Sequence, residues 1–329
     1  MERLMKGIVV KAPGDASQLV LAELPVPRPG PSEVLLQVKA AGVNRPDVLQ
    51  RLGLYPPPPG TSPHLGLEVA GIVVGTGEGV DPSLIGRSFM ALCNGGGYAQ
   101  YVCVPAGQCM PIPEGLSYAQ AATLPEVYLT VWQNLVWKGR LSANQVVLVH
   151  GGSSGIGTAA IQVARRLQAQ VLVTVGHQDK AEFCRALGAT AVFNHRDQDW
   201  SALALEWTSG RGVDVVLDMV AGSYLERDLA CLAVGGQVIV IALLGGRQAS
   251  LDAGKLLMKQ ATLTGSTLRP QSAEFKARLA AELGAELYSG FAAGHYRAVV
   301  SAEFELADAA SAHRLMESGE LMGKIVLTV

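Results

Sequence analysis

The sequence predicts an α/β protein with a doubly wound parallel sheet and a second, β-rich domain. Three observations carry this. In the second half, short β-branched runs such as VVLVH, VLVTV and VDVVLDMV alternate with amphipathic stretches of about a dozen residues, which is the pattern of βαβ units. In the first third, strand-like runs are separated by Pro/Gly clusters such as PVPRPGPSE. Aromatic content is only 5% against 38 glycines, which suits a core of Ala, Val and Leu with many tight turns.

In chain order, GIVVKA, VLLQVKAAGV, LEVAGIVVGTG and AQYVCVP read as strands. PEVYLTVWQNLV has helical apolar spacing and opens on Pro125, a favoured first-turn residue. Next come strand VVLVH, helix GIGTAAIQVARRLQ, strand VLVTV, helix KAEFCRALGA, strand AVFN and helix WSALALEWT. Strand VDVVLDMV, helix YLERDLACLA and strand QVIVIAL continue the alternation, and ATLTGST ends it as an edge strand. From Leu268 the pattern is helical, in FKARLAAELGAELYSG and LADAASAHRLMESG, before the closing strand KIVLTV, which needs a sheet to join. The expected domains are therefore 1–125 with 268–329, and a dinucleotide-binding domain over 126–267.

With 49% apolar residues in 329, a sizeable core is available, and a formal net charge of −2 offers no basic field for nucleic acid. No run reaches the ~20 apolar residues that cross a bilayer. MERLMKGIVVK enters a strand-like run without a charged and then apolar leader, so a cytoplasmic location is expected. Cys93, Cys103, Cys109, Cys184 and Cys231 show no CxxC spacing and are expected to be reduced, small apolar residues.

HGGSSGIG (150–157) lies where a strand ends and a helix begins. Gly155 and Gly157 would let backbone approach a pyrophosphate, which then meets free N–H groups at Ser154, Gly155 and Ile156 on the helix N-terminus. Units that bind NAD place an acid at the end of the next strand to hold the ribose 2′-hydroxyl. Here VTVGHQDK puts Gly176 there, with no acid before Asp179. A carboxylate would repel a 2′-phosphate; its absence, with His177 and Lys180 nearby, predicts NADP(H). His195 and Arg196 follow the next strand and either add cationic or donor groups or are solvated loop residues. The short-chain dehydrogenase pattern also fits this glycine turn. It requires a Tyr-x-x-x-Lys pair, and none of Tyr224, Tyr288 and Tyr296 has a lysine four residues on.

The whole chain resembles the medium-chain dehydrogenase/reductase superfamily. NRPDVLQRLGLYPPPPG, LGLEVAG, HGGSSGIGTAAIQ, GSTLR and GKIVL are similar to its quinone oxidoreductase (zeta-crystallin) family. The first of these stretches resembles the tumour-suppressor-inducible quinone oxidoreductase subgroup. The resemblance implies a Rossmann-type domain, a GroES-like substrate domain, NADP(H) and a homodimer. It places Asn44 and Asp47 at the nicotinamide end, and Thr130, Leu243, Leu244, Ser266, Thr267 and Leu268 around the nicotinamide. Two departures from zinc-bearing relatives point to a zinc-free site: Asn44 stands where they carry a cysteine ligand, and Gly66-Leu67-Glu68 replaces their Gly-His-Glu. His64 and Glu68 have i,i+4 spacing but lack further ligands.

Without a Lewis acid, the favoured substrate is one that accepts hydride readily, a quinone or an enone attacked at its β-carbon. Tyr55, just before the run Pro56 to Pro59, is the candidate proton donor, or else an aromatic plug on that run. Asn44 is otherwise a turn residue, and solvent is the other proton source. Arg269 faces substrate or solvent, and Lys324 has a cofactor-side or a structural role. The expected activity is NADPH-dependent quinone reduction; the alternatives are an enoyl-thioester reductase and an NADPH-binding protein with little turnover.

Overall fold

A computed structural model describes residues 3–329. The chain forms two compact units, Met1–Leu129 with Leu268–Val329, and Thr130–Thr267.

The first unit opens with a hairpin of β1 (Leu4–Val10) and β2 (Leu19–Pro25). It continues with β3 (Glu33–Val43), helix α1 (Arg45–Arg51), β4 (Glu68–Thr76), β5 (Ser88–Leu92), β6 (Tyr101–Pro105) and β7 (Cys109–Pro111). In β3, residues Val34, Leu36, Val38 and Ala40 are buried, so the strand's period of two puts one face into the core. Helices α2 (Tyr118–Ala121) and α3 (Pro125–Val131) follow, and the division between the units falls inside α3.

Pro125 does open a helix, but PEVYLTVWQNLV is not one regular α-helix. Trp132–Lys138 is a π-helix, whose wider turn ends where Gly139 N donates to Asn134 O, five residues back. The Asn134 side chain also donates to Thr130 O (2.8 Å).

The second unit runs β8 (Val146–His150), α4 (Gly155–Arg166), β9 (Gln170–Val175), α5 (Gln178–Leu187), β10 (Ala191–Asn194) and α6 (Trp200–Trp207). It ends with β11 (Val213–Asp218), α7 (Tyr224–Cys231), β12 (Leu232–Val240), α8 (Ala253–Met258) and β13 (Thr262–Gly265). Its six strands are all parallel, in the order β10-β9-β8-β11-β12-β13. The order reverses at β8, and in open sheets of this kind ligands bind outside the carboxyl ends of the strands at such a reversal. β8 is buried along its whole length, as expected of a strand covered on both faces.

The chain then returns to the first unit with α9 (Ala273–Ala292), β14 (Val300–Glu305), α10 (Ala309–Ser318) and β15 (Lys324–Thr328). The sheet of that unit runs β14-β15-β3-β4-β5-β7, with β6 also on β3. β14 was not expected among the helical patterns of this segment. Its residues are alternately half-buried and exposed, and it is held by parallel pairing with β15. KIVLTV finds its sheet by pairing antiparallel with β3, Ile325 opposite Val43.

The five cysteines are free, and burial pushes the thiols of Cys103, Cys109 and Cys184 up to about 12. Among the described residues, no helix is long and apolar enough to cross a membrane.

Candidate active site

In the second unit, most of the residues expected at the cofactor gather on the carboxyl edge of the parallel sheet. After β8 the chain turns through Gly151, which has φ of +72°, a conformation glycine adopts without strain. Ser154 caps α4, its hydroxyl accepting from Gly157 N (3.0 Å). The first turn at Gly155 and Ile156 still presents N–H groups that no helical carbonyl reaches. A Cβ on Gly157 would lie 2.4 Å from the carbonyl oxygens of both Gly151 and Gly152, so the turn closes only on a hydrogen at this position. That cradle fits a pyrophosphate.

At the end of β9, a Cβ on Gly176 would stand 3.2 Å from His195 Nε2 and 3.3 Å from Arg196 Nε. Side chains from the end of β10 therefore cover the place where an NAD-type acid would sit. Burial, then Arg196, lower the pKa of His195. His177 is exposed and Lys180 half-buried on the first turn of α5. Leu243 and Leu244 are exposed after β12. Ser266 follows β13 and its hydroxyl accepts from Gln133 Nε2 (2.7 Å), which also reaches Thr267 O (3.4 Å). Thr130 lies on α3, and its carbonyl oxygen accepts from Asn134 Nδ2.

A buried knot supports the edge from below. His150 Nε2 is 2.8 Å from Asp228 Oδ1, and Nδ1 is 3.0 Å from the Thr174 hydroxyl, which accepts from Gly151 N. Asp218 accepts from Val220 N and Ala221 N, shaping the loop after β11. These three acidic and imidazole groups lie close enough to suggest a metal centre. Both His150 nitrogens and the Asp218 carboxylate are already engaged, so they act as loop supports.

In the first unit, the β3–β15 register sets Lys324 beside Asn44. Asn44 Nδ2 donates to Glu68 Oε1 (2.8 Å), and Lys324 Nζ donates to Val43 O (2.9 Å), Asn44 Oδ1 and Glu68 Oε1 (2.7 Å). Glu68 Oε2 accepts from Glu126 N at the start of α3 (2.8 Å). The Lys324 ammonium thus holds the oxygens a divalent cation would need, and the neighbouring Leu67 offers none. Zinc does not fit this donor set. His64 and Glu68 make no helical pair, because the chain between them is irregular.

Asp47 was expected with Asn44 at the nicotinamide end. It is fully buried, accepting from Gly66 N (3.0 Å), Asn44 N (2.9 Å) and Tyr98 Oη (3.3 Å), and burial raises its pKa to about 6. Its carboxylate is a hub that positions Asn44 and the β4 entrance. Asn44 is itself 5% exposed and caps α1. Leu268, expected around the nicotinamide, is buried and begins the returning stretch of the first unit. Lys324 is structural by its contacts.

Tyr55 is half-buried, with the guanidinium of Arg269 5.5 Å from its ring centroid. Arg269, left open between substrate and solvent by the sequence, is only 7% exposed. It donates to Gln50 Oε1 (2.8 Å) and Asn94 O (2.9 Å), bracing the loop that carries Tyr55. Glu126 was not expected at the site. Burial, then Glu68, raise its pKa to about 8, and its charge is felt at Tyr55, Arg269 and Lys276. An acid directly after the helix-opening Pro125 was the available signal.

Residues 30–114 match the alcohol dehydrogenase GroES-like domain family, and residues 155–285 match the zinc-binding dehydrogenase family. The rat quinone oxidoreductase is 32% identical over 99% of this chain and 98% of its own length. The solved quinone oxidoreductase of Escherichia coli, complexed with NADPH, superposes with a TM-score of 0.88 at 29% identity, covering 99% of this chain and 100% of that one. The solved CurK enoyl reductase gives 0.87 at 25% identity, covering 98% and 99%. A phenolphthiocerol/phthiocerol polyketide synthase from Mycobacterium tuberculosis is 34% identical over 97% of this chain, which spans only 14% of that protein's length. Two units of these kinds, one doubly wound and one GroES-like, define the medium-chain dehydrogenase/reductase class of oxidoreductases. Within that class the chain belongs to the quinone oxidoreductase family.

Proposed function

We propose that this chain is an NADPH-dependent, zinc- and flavin-free reductase of quinones or activated enones. The observation that carries the reading is the Lys324 ammonium on Asn44 and Glu68, which removes a Lewis acid from the site and leaves an intrinsically electrophilic acceptor as substrate. When bound, NADPH supplies a hydride. The acceptor gains that hydride with its electron pair and then one proton, so a quinone leaves as hydroquinone. The glycine turn holds the pyrophosphate, His195, Arg196 and Lys180 surround the 2′-phosphate, and Tyr55 gives the proton, recovering it from solvent. NADPH in the E. coli relative and the basic surroundings of Gly176 support the cofactor choice.

NADPH oxidation is expected with an ortho-quinone such as 1,2-naphthoquinone, unchanged by a chelator. Preferential turnover of crotonyl thioesters would shift the reading to an enoyl reductase, as the CurK likeness allows. Tight NADPH binding without any turnover would leave a binding protein. Tyr55→Phe is expected to lower kcat about 100-fold with NADPH affinity unchanged; an unaltered rate assigns the proton to solvent. Gly176→Asp sets a carboxylate against the 2′-phosphate and is expected to weaken NADPH binding at least tenfold relative to NADH, measured by fluorescence titration. Equal loss for both cofactors would place the 2′-phosphate elsewhere.

A further inference from the structure

Two cations in the first unit are buried without an acidic partner. Arg269 is 7% and Lys276 1% exposed, and neither has a carboxylate within 4.0 Å among the described residues. Their acceptors are neutral: Gln50 Oε1 and Asn94 O for Arg269, Asn94 Oδ1 (2.6 Å) and Arg269 O (3.0 Å) for Lys276. Arg269 Nε has no acceptor at all. A buried charge left in this state is costly, so its field must be offset by something the free protein lacks or used by a neighbour.

The neighbour is Tyr55, whose ring lies within cation–π range of the guanidinium. We propose that Arg269, with Lys276 bonded to its carbonyl, is a positioning residue that makes Tyr55 a stronger acid and stabilises the anion formed when the acceptor takes up hydride. The proposal rests on the reading of Tyr55 as proton donor given above. Hydride transfer from NADPH converts a quinone to a hydroquinone monoanion, and Tyr55 passes its proton to that oxygen, leaving a phenolate beside the guanidinium. The positive field stabilises both anions more strongly than the neutral tyrosine ring or the neutral quinone, so it favours the reaction over binding.

The groups facing this triad are few. Burial, then Glu126, hold Tyr55 above its ordinary pKa, and Arg269 opposes them. Arg269 feels Tyr55, Asp47 and Glu126; Lys276 feels Glu126 and Arg269. The contribution of Arg269 is therefore read by changing Arg269 itself, and Glu126→Gln reads the charge that opposes it.

The test uses the whole protein without cofactor or acceptor, so it stands whether or not any quinone is reduced. The ultraviolet absorbance of phenolate is titrated in the parent and in Tyr55→Phe, and the difference isolates Tyr55. Arg269→Gln is expected to raise the Tyr55 midpoint by about one pH unit or more, with Arg269→Lys recovering part of it. Glu126→Gln, at a half-buried position where folding is less at risk, is expected to lower the midpoint. In turnover, Arg269→Gln should reduce kcat at least tenfold while the KM for NADPH stays put. A Tyr55 midpoint equal to the parent's in folded Arg269→Gln overturns the proposal; if Arg269→Gln does not fold, Arg269→Lys, expected to lie measurably above the parent, decides, and a parent-like midpoint there overturns it.

Discussion

Gly157→Ala is expected to cost the second unit its dinucleotide site. The added Cβ would meet two backbone carbonyl oxygens at 2.4 Å, and neither can rotate away as a side chain would. Either α4 lifts from the turn or the turn opens, and in both cases the N–H groups of Gly155 and Ile156 lose their aim. The expected loss of NADPH affinity is about 100-fold, or about 3 kcal/mol, read by calorimetry. Gly75→Ala is the control, since its Cβ would make only ordinary contact with Leu35 at 3.6 Å. Parent-like affinity in Gly157→Ala would mean that the cradle is not the pyrophosphate site.

Lys324→Ala is expected to be the most destabilising single change in the first unit. It strands the carboxylate of Glu68, which is fully buried, and removes the donor to Asn44 Oδ1. Breaking a buried pair from one side costs about 3–5 kcal/mol. A fall in Tm of about 10 °C should follow, on the scale of about 2–4 °C per kcal/mol for units of this size. Glu68→Gln on that background removes the stranded charge and should recover part of the loss, which a simple cavity would not do. An unchanged Tm in Lys324→Ala would show that the ammonium is dispensable and reopen the donor set to a cation.

Local signals carried the parallel-sheet unit. Apolar periodicity, the position of HGGSSGIG at a strand end, and the glycine after VTV are all short-range features, and the structure realises each where it was expected. The substrate-side unit was only partly legible because its decisive contacts are long-range. Nothing near Asn44 announces that Lys324, 280 residues on, will take its side-chain oxygen. That Asp47 is a hub was not legible either, because two of its three hydrogen bonds come from residues 19 and 51 positions away. β14 lacks an apolar run and exists through pairing with β15. The environment of Arg269 required knowing that Gln50, Tyr55 and Asn94 converge on it.

The interrupted first unit also sets an order of events in time. Ribosomal synthesis delivers the second unit as one continuous stretch, so its six strands can pair before α9 has been made. β3, however, emerges early and must wait for β15, across a chain separation that makes closure slow. Throughout that wait Glu68 has no ammonium and the Ala40–Val43 end of β3 lacks its neighbour, although β6 already pairs with Glu33–Gln37. The nascent chain therefore carries an open strand end and an uncompensated acid until β15 has been made, a window in which chaperone engagement would matter most.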